Sequence, residues 1–202
     1  MDRPQLAALP PGIRAVAEAL APLRAPWAVA GGWAVDLALG RVTRPHADVD
    51  VAVFRDDQAA LRQALPGWHF DVAIAGALVP WRRDTRLELP VHEVHARPPA
   101  GDASPTIELL LNERAGTEWV YRRDRAVRRP LERVFRAAVG GVRVLAPEVV
   151  LLYKSKAPRA VDEHDFHAAR PLLGAEARAW LRDALRRSTP AHPWAAGLAR
   201  DV

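Results

Sequence analysis
The sequence predicts an α+β fold: a mixed β-sheet flanked by helices, followed by a C-terminal helical part. Three observations carry this. Residues 27–65 run in the order strand, helix, strand, helix; residues 68–122 hold several strand-like pieces divided by Pro-, Gly- and Asp-rich turns; and from Pro147 the apolar pattern changes to helical spacing.

Taken in order, Pro10, Pro11 and Gly12 punctuate the start, and Ile13, Val16, Leu20 and Leu23 then recur at a helix's period, predicting a helix over 12–23 that Pro26 ends. Residues 27–30 read as a short buried strand. Gly31 and Gly32 follow, and then a helix over 33–39 that Gly40 can terminate. After a polar connection over 41–47, Asp48 and Asp50 alternate with Val49, Val51 and Val53 in a strand's period of two, predicting a strand over 48–54. A helix over 56–65 is expected next, capped by Asp56 or Asp57.

Strands are predicted over 68–74, 87–95, 106–111 and 119–122, with RPPAGDASP as one dividing turn. Pro130 and the Gly140–Gly141 pair break up 125–144, which reads as mixed. Pro147 suits a first helical position, Asp162 can cap a second helix, and a third over 176–187 places Trp180, Leu181 and Leu185 on one face. The boundary falls near residue 146. It divides the chain into a catalytic part, 1–146, and a C-terminal helical part, 147–202.

The 202 residues are 50% hydrophobic and 26% charged, an ordinary globular balance. The chain has no cysteine, which excludes disulfides, thiolate metal sites and a cysteine nucleophile. The N-terminal stretch lacks a signal peptide's basic-then-apolar order, and no run approaches the ~20 apolar residues of a membrane span, so a cytoplasmic location without membrane contact is expected. The formal charge is +5, and of the 29 basic residues only Lys154 and Lys156 are lysines. That balance suits polyanionic partners such as nucleotides or nucleic acid, or else a solvated Arg/Asp/Glu surface. Charge alone does not choose.

The chemistry concentrates in GGWAVDLALGRVTRPHADVD, residues 31–50. Asp48 and Asp50 share one face of a strand, roughly 6–7 Å apart along it, so their carboxylates can converge on one cation. Two crowded carboxylates repel unless a divalent ion neutralises them, and Mg²⁺ is the natural occupant. A third acid is expected from a neighbouring strand. Glu108, alone in the β-like run TIELLL, is the candidate, with Glu93 of VHEVH as the competitor. Gly31 and Gly32 let a ligand approach the backbone where the next helix's free N–H groups attract phosphate.

These residues carry a resemblance. The order apolar–Gly–Gly, helix, Asp-x-Asp resembles the DNA polymerase β-like nucleotidyltransferase superfamily. GGWAVDLALGRVTRPHADVDVAV is more closely similar to its aminoglycoside and lincosamide nucleotidyltransferase branch, and WVYRRD, LAPEVVLLYKSK and DEHDF match later landmarks of that branch. The likeness runs from about Trp27 to Phe166. It departs where 32–48 is slightly longer than in many members and where Val161 stands in place of a frequent lysine.

The resemblance implies a nucleotidyltransferase-type sheet and transfer of a nucleoside monophosphate from an NTP, with ATP expected, to a hydroxyl. Asp48, Asp50 and Glu108 would be the catalytic and metal-binding carboxylates for two Mg²⁺ ions, with Glu108 also the general base. Gly31, Gly32, the Trp33 amide, Arg44 and Lys154 would bind the nucleotide. The acceptor is expected to be a small hydroxylated molecule, of the aminoglycoside or lincosamide kind. Competing readings are a toxin-like enzyme that modifies RNA or protein, and a catalytically silent nucleotide-binding module.

Other residues stay open at this stage. Arg41, Arg122 and Arg123 could reach a ligand or form ion pairs. His46 reads as a structural hydrogen bonder, the spacings of His92 with His95 and of His164 with His167 do not suffice for a zinc site, and Trp81 or Trp119 could stack on a base or sugar.

Overall fold
A computed structural model describes residues 8–199, which form ten strands and seven helices. The helix α1 (Pro11–Ala19) precedes β1 (Trp27–Val29), α2 (Gly31–Leu39), β2 (Val49–Phe54) and α3 (Gln58–Ala64). Then come β3 (His69–Ile74), β4 (Ala77–Pro80), β5 (Glu93–Arg97), β6 (Ile107–Ala115), β7 (Glu118–Val120), β8 (Arg128–Pro130), β9 (Phe135–Ala137) and β10 (Arg143–Leu145). Four helices close the chain: α4 (Pro147–Lys154), α5 (Ala160–Ala169), α6 (Ala175–Ser188) and α7 (Pro193–Gly197).

The main path of the sheet is β4-β3-β5-β6-β2-β1-β10-β9, with β7 and β8 continuing from β6. Its centre is β2, antiparallel to β1 and parallel to β6, so the sheet is mixed. Val49, Val51 and Val53 are buried on one face, as the alternation requires, which leaves the opposite face for Asp50. One apolar cluster joins this sheet to the later helices, through Val149, Leu151 and Leu152 of α4 and Leu181 and Leu185 of α6. The helix α4 packs on both α2 and α6. The C-terminal helices therefore share the sheet's core and cover the face on which Asp50 stands.

Several boundaries move from those the sequence predicts. The helix α2 starts at Gly31 rather than residue 33, and β2 starts at Val49, leaving Asp48 just ahead of it. The expected caps of the helix at 56–65 do not form: Asp57 bonds Arg114 (2.9 Å), Asp56 pairs with Arg86 (3.1 Å), and a 3₁₀ turn over Arg55–Asp57 leads into α3. The predicted strand over 87–95 is β5 at Glu93–Arg97 instead. Before it, the Leu87 backbone is held by the Gln58 side chain (Leu87 N–H to Oε1 2.7 Å, Nε2 to the Leu87 carbonyl 3.2 Å), and Pro90 supplies no ladder donor.

The hairpin strand β4 has no counterpart in the sequence reading, because its four residues are exposed on both faces and show no alternation. Residues 125–144 resolve into β8, β9 and β10, each three residues long. Asp162 lies inside α5 rather than ahead of it, yet its carboxylate accepts the Arg159 N–H (3.0 Å) at that helix's start.

Candidate active site
Parallel pairing of β2 with β6 sets Asp50 directly opposite Glu108. Residues in register project to the same face, so the two carboxyls meet. Burial is the largest cause that pushes the Asp50 carboxyl up to about 7, followed by the charges of Glu108 and Asp48; Lys154 offsets part of this. Glu108 is raised too, first by burial and then by Asp48, with His95 opposing.

On the other side of β6, β5 brings His95 opposite Glu108 and Glu93 opposite Leu110. His95 Nε2 lies 2.8 Å from Glu93 Oε1 and His95 Nδ1 3.9 Å from Glu108 Oε1. Glu108 therefore stands on the strand beside β2, and Glu93 one strand farther out. Asp48 is exposed at the mouth of β2. Among the described residues no three acidic or histidine side chains already converge in metal-ligating geometry. The donors nonetheless suit a hard cation, being all carboxylate oxygens, and the raised Asp50 is an acid that a divalent ion would return to its charged form.

The glycine turn is fitted to this pair. Gly31 takes φ +58°, and a Cβ there would lie 1.8 Å from Asp50 Oδ2. A Cβ on Gly32 would lie 2.0 Å from Arg44 Nη2. The first bond of α2 runs from Ala34 N–H to the Ala30 carbonyl (3.1 Å), so the amides of Gly31, Gly32 and Trp33 precede the helix ladder and are without an intrahelical acceptor. The Trp33 ring stacks on His46, with centroids 4.2 Å apart.

The loop between α2 and β2 is held by acids the sequence reading passed over. Asp36, buried in α2, accepts from Thr43 N–H (3.0 Å) and Thr43 Oγ1 (2.5 Å), and its Oδ2 lies 2.7 Å from His46 Nε2. His46 is thus a structural hydrogen bonder. Arg44 forks onto Asp165 of α5, with both bonds at 2.8 Å. Lys154 reaches Asp162 (2.6 Å) and Asp165 (3.0 Å). The opposite charges of GRVTR and DEHDF were the only sequence signal for this clamp.

A cavity of ≈330 Å³ opens over Asp50, between the sheet and α4, and its walls include Gly31, Glu93, Asn112, Arg122, Tyr153 and Lys154. Asp48, Glu108, Gly32, Trp33 and Arg44 are not in its lining. Trp119 and Trp81 are core rather than stacking platforms: both are buried, Trp119 bonding Asn112 Oδ1 (2.9 Å) and Trp81 the Thr85 carbonyl (2.8 Å). No carboxylate pairs with Arg122 or Arg123 among the described residues.

The aminoglycoside-2''-adenylyltransferase family matches residues 12–168. The chain belongs to that family. Within the aminoglycoside and lincosamide branch, it has the fold of nucleotidyltransferases and is a nucleotidyltransferase enzyme. Among solved structures it is similar to the solution structure of the antibiotic-resistance factor ANT(2'')-Ia, at 21% identity over 93% of this chain and 94% of that chain, with a TM-score of 0.56. The crystal structure of ANT(2'')-Ia in complex with adenylyl-2''-tobramycin gives 20% identity over 87% and 95%, with a TM-score of 0.57. Lincomycin-bound LnuA, a lincosamide antibiotic adenylyltransferase, gives 13% over 80% and 96%, with a TM-score of 0.56. No curated protein sequence matches the chain. Among the described residues, no helix of this adenylyltransferase-family chain is long and apolar enough to cross a membrane.

Proposed function
We propose that the enzyme transfers AMP from ATP to a hydroxyl of a small hydroxylated acceptor, an aminoglycoside-like or lincosamide-like antibiotic, in a Mg²⁺-dependent reaction. The observation that carries this is the in-register Asp50–Glu108 pair beneath the Gly31–Gly32 turn. Asp48, Asp50 and Glu108 would hold two magnesium ions, which when bound neutralise the triphosphate and stabilise the attacking and leaving oxygens. Residues 1–146 supply these carboxylates, and the helical part, 147–202, closes the nucleotide side through Lys154.

The amides of Gly31, Gly32 and Trp33 bind phosphate oxygens at the start of α2, where the helix dipole favours negative charge. Lys154 completes the charge on the α4 side, while Arg44 acts through the loop it anchors and through its contact with Gly32. Glu108 takes the acceptor's proton as the hydroxyl oxygen bonds to the α-phosphorus and the bond to pyrophosphate breaks. Burial and the charge of Asp48 raise the Glu108 carboxyl, which makes it a stronger base for that proton.

Incubation with Mg²⁺, labelled ATP or GTP and a panel of hydroxylated antibiotics tests the reading. The expected result is pyrophosphate release and a nucleoside-monophosphate mass gain on an acceptor. Neither product with any acceptor would overturn it.

A further inference from the structure
The two cations at the glycine end of the site are already engaged. Arg44 forks onto Asp165, and Lys154 bridges Asp162 and Asp165, so three side-chain contacts neutralise them before any ligand arrives. Arg159, also at the cavity wall, pairs with Asp162 at 3.0 Å. Lys154 therefore offers a polyphosphate only part of its charge, and a cation free of aspartate would add to it.

Arg122 supplies it. The strand β7 ends at Val120, the next residue Tyr121 is buried, and Arg122 then emerges at the wall of the cavity that holds Asp50 and Lys154. Its guanidinium is half-buried, 5.8 Å from the centre of the Tyr153 ring, and among the described residues no carboxylate pairs with it. Its neighbour Arg123 is fixed by bonds to the Tyr121 hydroxyl (3.1 Å) and the Tyr153 carbonyl (2.9 Å), which keeps a second positive charge beside it. Burial and Arg123 both lower the pKa of Arg122. A partly desolvated guanidinium without a counter-charge is costly to the protein alone and is relieved by an anion that it can grip bidentately.

We infer that Arg122 binds the polyphosphate of the nucleotide, as a half-buried cation at the cavity wall that pairs with no carboxylate among the described residues. The inference rests on the nucleotidyl-transfer reading. It assigns a role to the WVYRRD motif, whose arginines the sequence left between ion pair and ligand contact.

Calorimetric titration of the full chain with Mg²⁺–ATP and with inorganic tripolyphosphate tests it. Arg122→Gln is expected to weaken both at least tenfold, Arg122→Lys to restore part of the loss, and the acceptor's KM to stay within about threefold. Equal affinity of wild type and Arg122→Gln for both probes would overturn the assignment. A measurement on the wild type covers the case in which the glutamine variant does not fold. The Arg122 side-chain N–H resonance, assigned with labelled arginine, should shift on saturation with tripolyphosphate, and an unmoved resonance under saturation also overturns it. Wild type that binds neither probe instead overturns the nucleotide reading, and the role of Arg122 falls with it.

Discussion

Asp50 and Glu108 face each other in register across the parallel β2–β6 pairing, and the charge of Glu108 adds to the burial that raises the Asp50 carboxyl. Burial first, then the charges of Glu108 and Asp48, push the Asp50 carboxyl up to about 7, far above an ordinary aspartate. A protonated Asp50 is a poorer ligand for a cation than the carboxylate.

Mg²⁺ binding should release that proton. With the Asp50 carboxyl raised to about 7, calorimetry in buffers of different ionisation enthalpy should show a fractional proton released per protein, growing as pH falls toward 6 while apparent affinity weakens. A binding heat independent of the buffer would count against the assignment.

Asp50→Asn should lower turnover at least ~10²-fold, on the order of 3 kcal/mol of transition-state stabilisation. The same change removes a buried, repelling acid, so the apo protein should melt no lower than wild type at pH 8. Initial rates and thermal unfolding of one preparation check both.

Gly31→Ala should disable the site from behind. Its φ of +58° costs an L-residue roughly 1–2 kcal/mol, and the added Cβ would overlap Asp50 Oδ2. A lower melting point together with a turnover loss comparable to that of Asp50→Asn is expected. Unchanged turnover would show that Asp50 need not occupy its present place.

Asp165→Asn should destabilise the fold by ~3 kcal/mol, because Asp165 is buried and its loss leaves Arg44 without its carboxylate and Lys154 with Asp162 alone. Arg44→Gln should cost less, about 1.5 kcal/mol, since Lys154 still pairs with the aspartate. Denaturant unfolding of the single and double variants should give less than additive losses.

The Asp162 carboxyl is held down at about 2; burial opposes this, but bonds from Arg159 and Lys154 outweigh it. A depressed acid stabilises the fold fully above its ordinary value of 3.8, and that contribution is lost as pH falls through that value toward 2. Asp162→Asn should therefore flatten the dependence of melting temperature on pH between about 4 and 2. An unaltered acid limb would place the titration elsewhere.

Local signals were legible in the sequence. The alternation of Asp48 and Asp50 with valines marks β2, and the glycine pair before an apolar stretch marks the turn into α2. Glu108 could be named because a lone acid in TIELLL must face away from the core. What stayed hidden was non-local or too short to show a period. Arg44 meets Asp165 across 121 residues, so nothing near either residue reveals the partner. The four exposed residues of β4 have no buried face to pattern, and the strand predicted at 87–95 is displaced because the Gln58 side chain, 29 residues earlier, takes the Leu87 backbone.

The placement of Asp165 has a consequence for how the enzyme is made. The strand β1 gains its second neighbour only when β10 pairs with it at Val144, and the loop ahead of β2 gains its anchor only when residue 165 is in place. On the ribosome, Asp48 and Asp50 emerge long before the segment that fixes their approach. A polypeptide cut short ahead of α5 would carry all three candidate carboxylates and the glycine turn, yet leave Arg44 without Asp165. The candidate centre is thus finished from its distal end, and a chain that stops after residue 146 would keep every one of those carboxylates while losing both Lys154 and the Asp165 that holds Arg44.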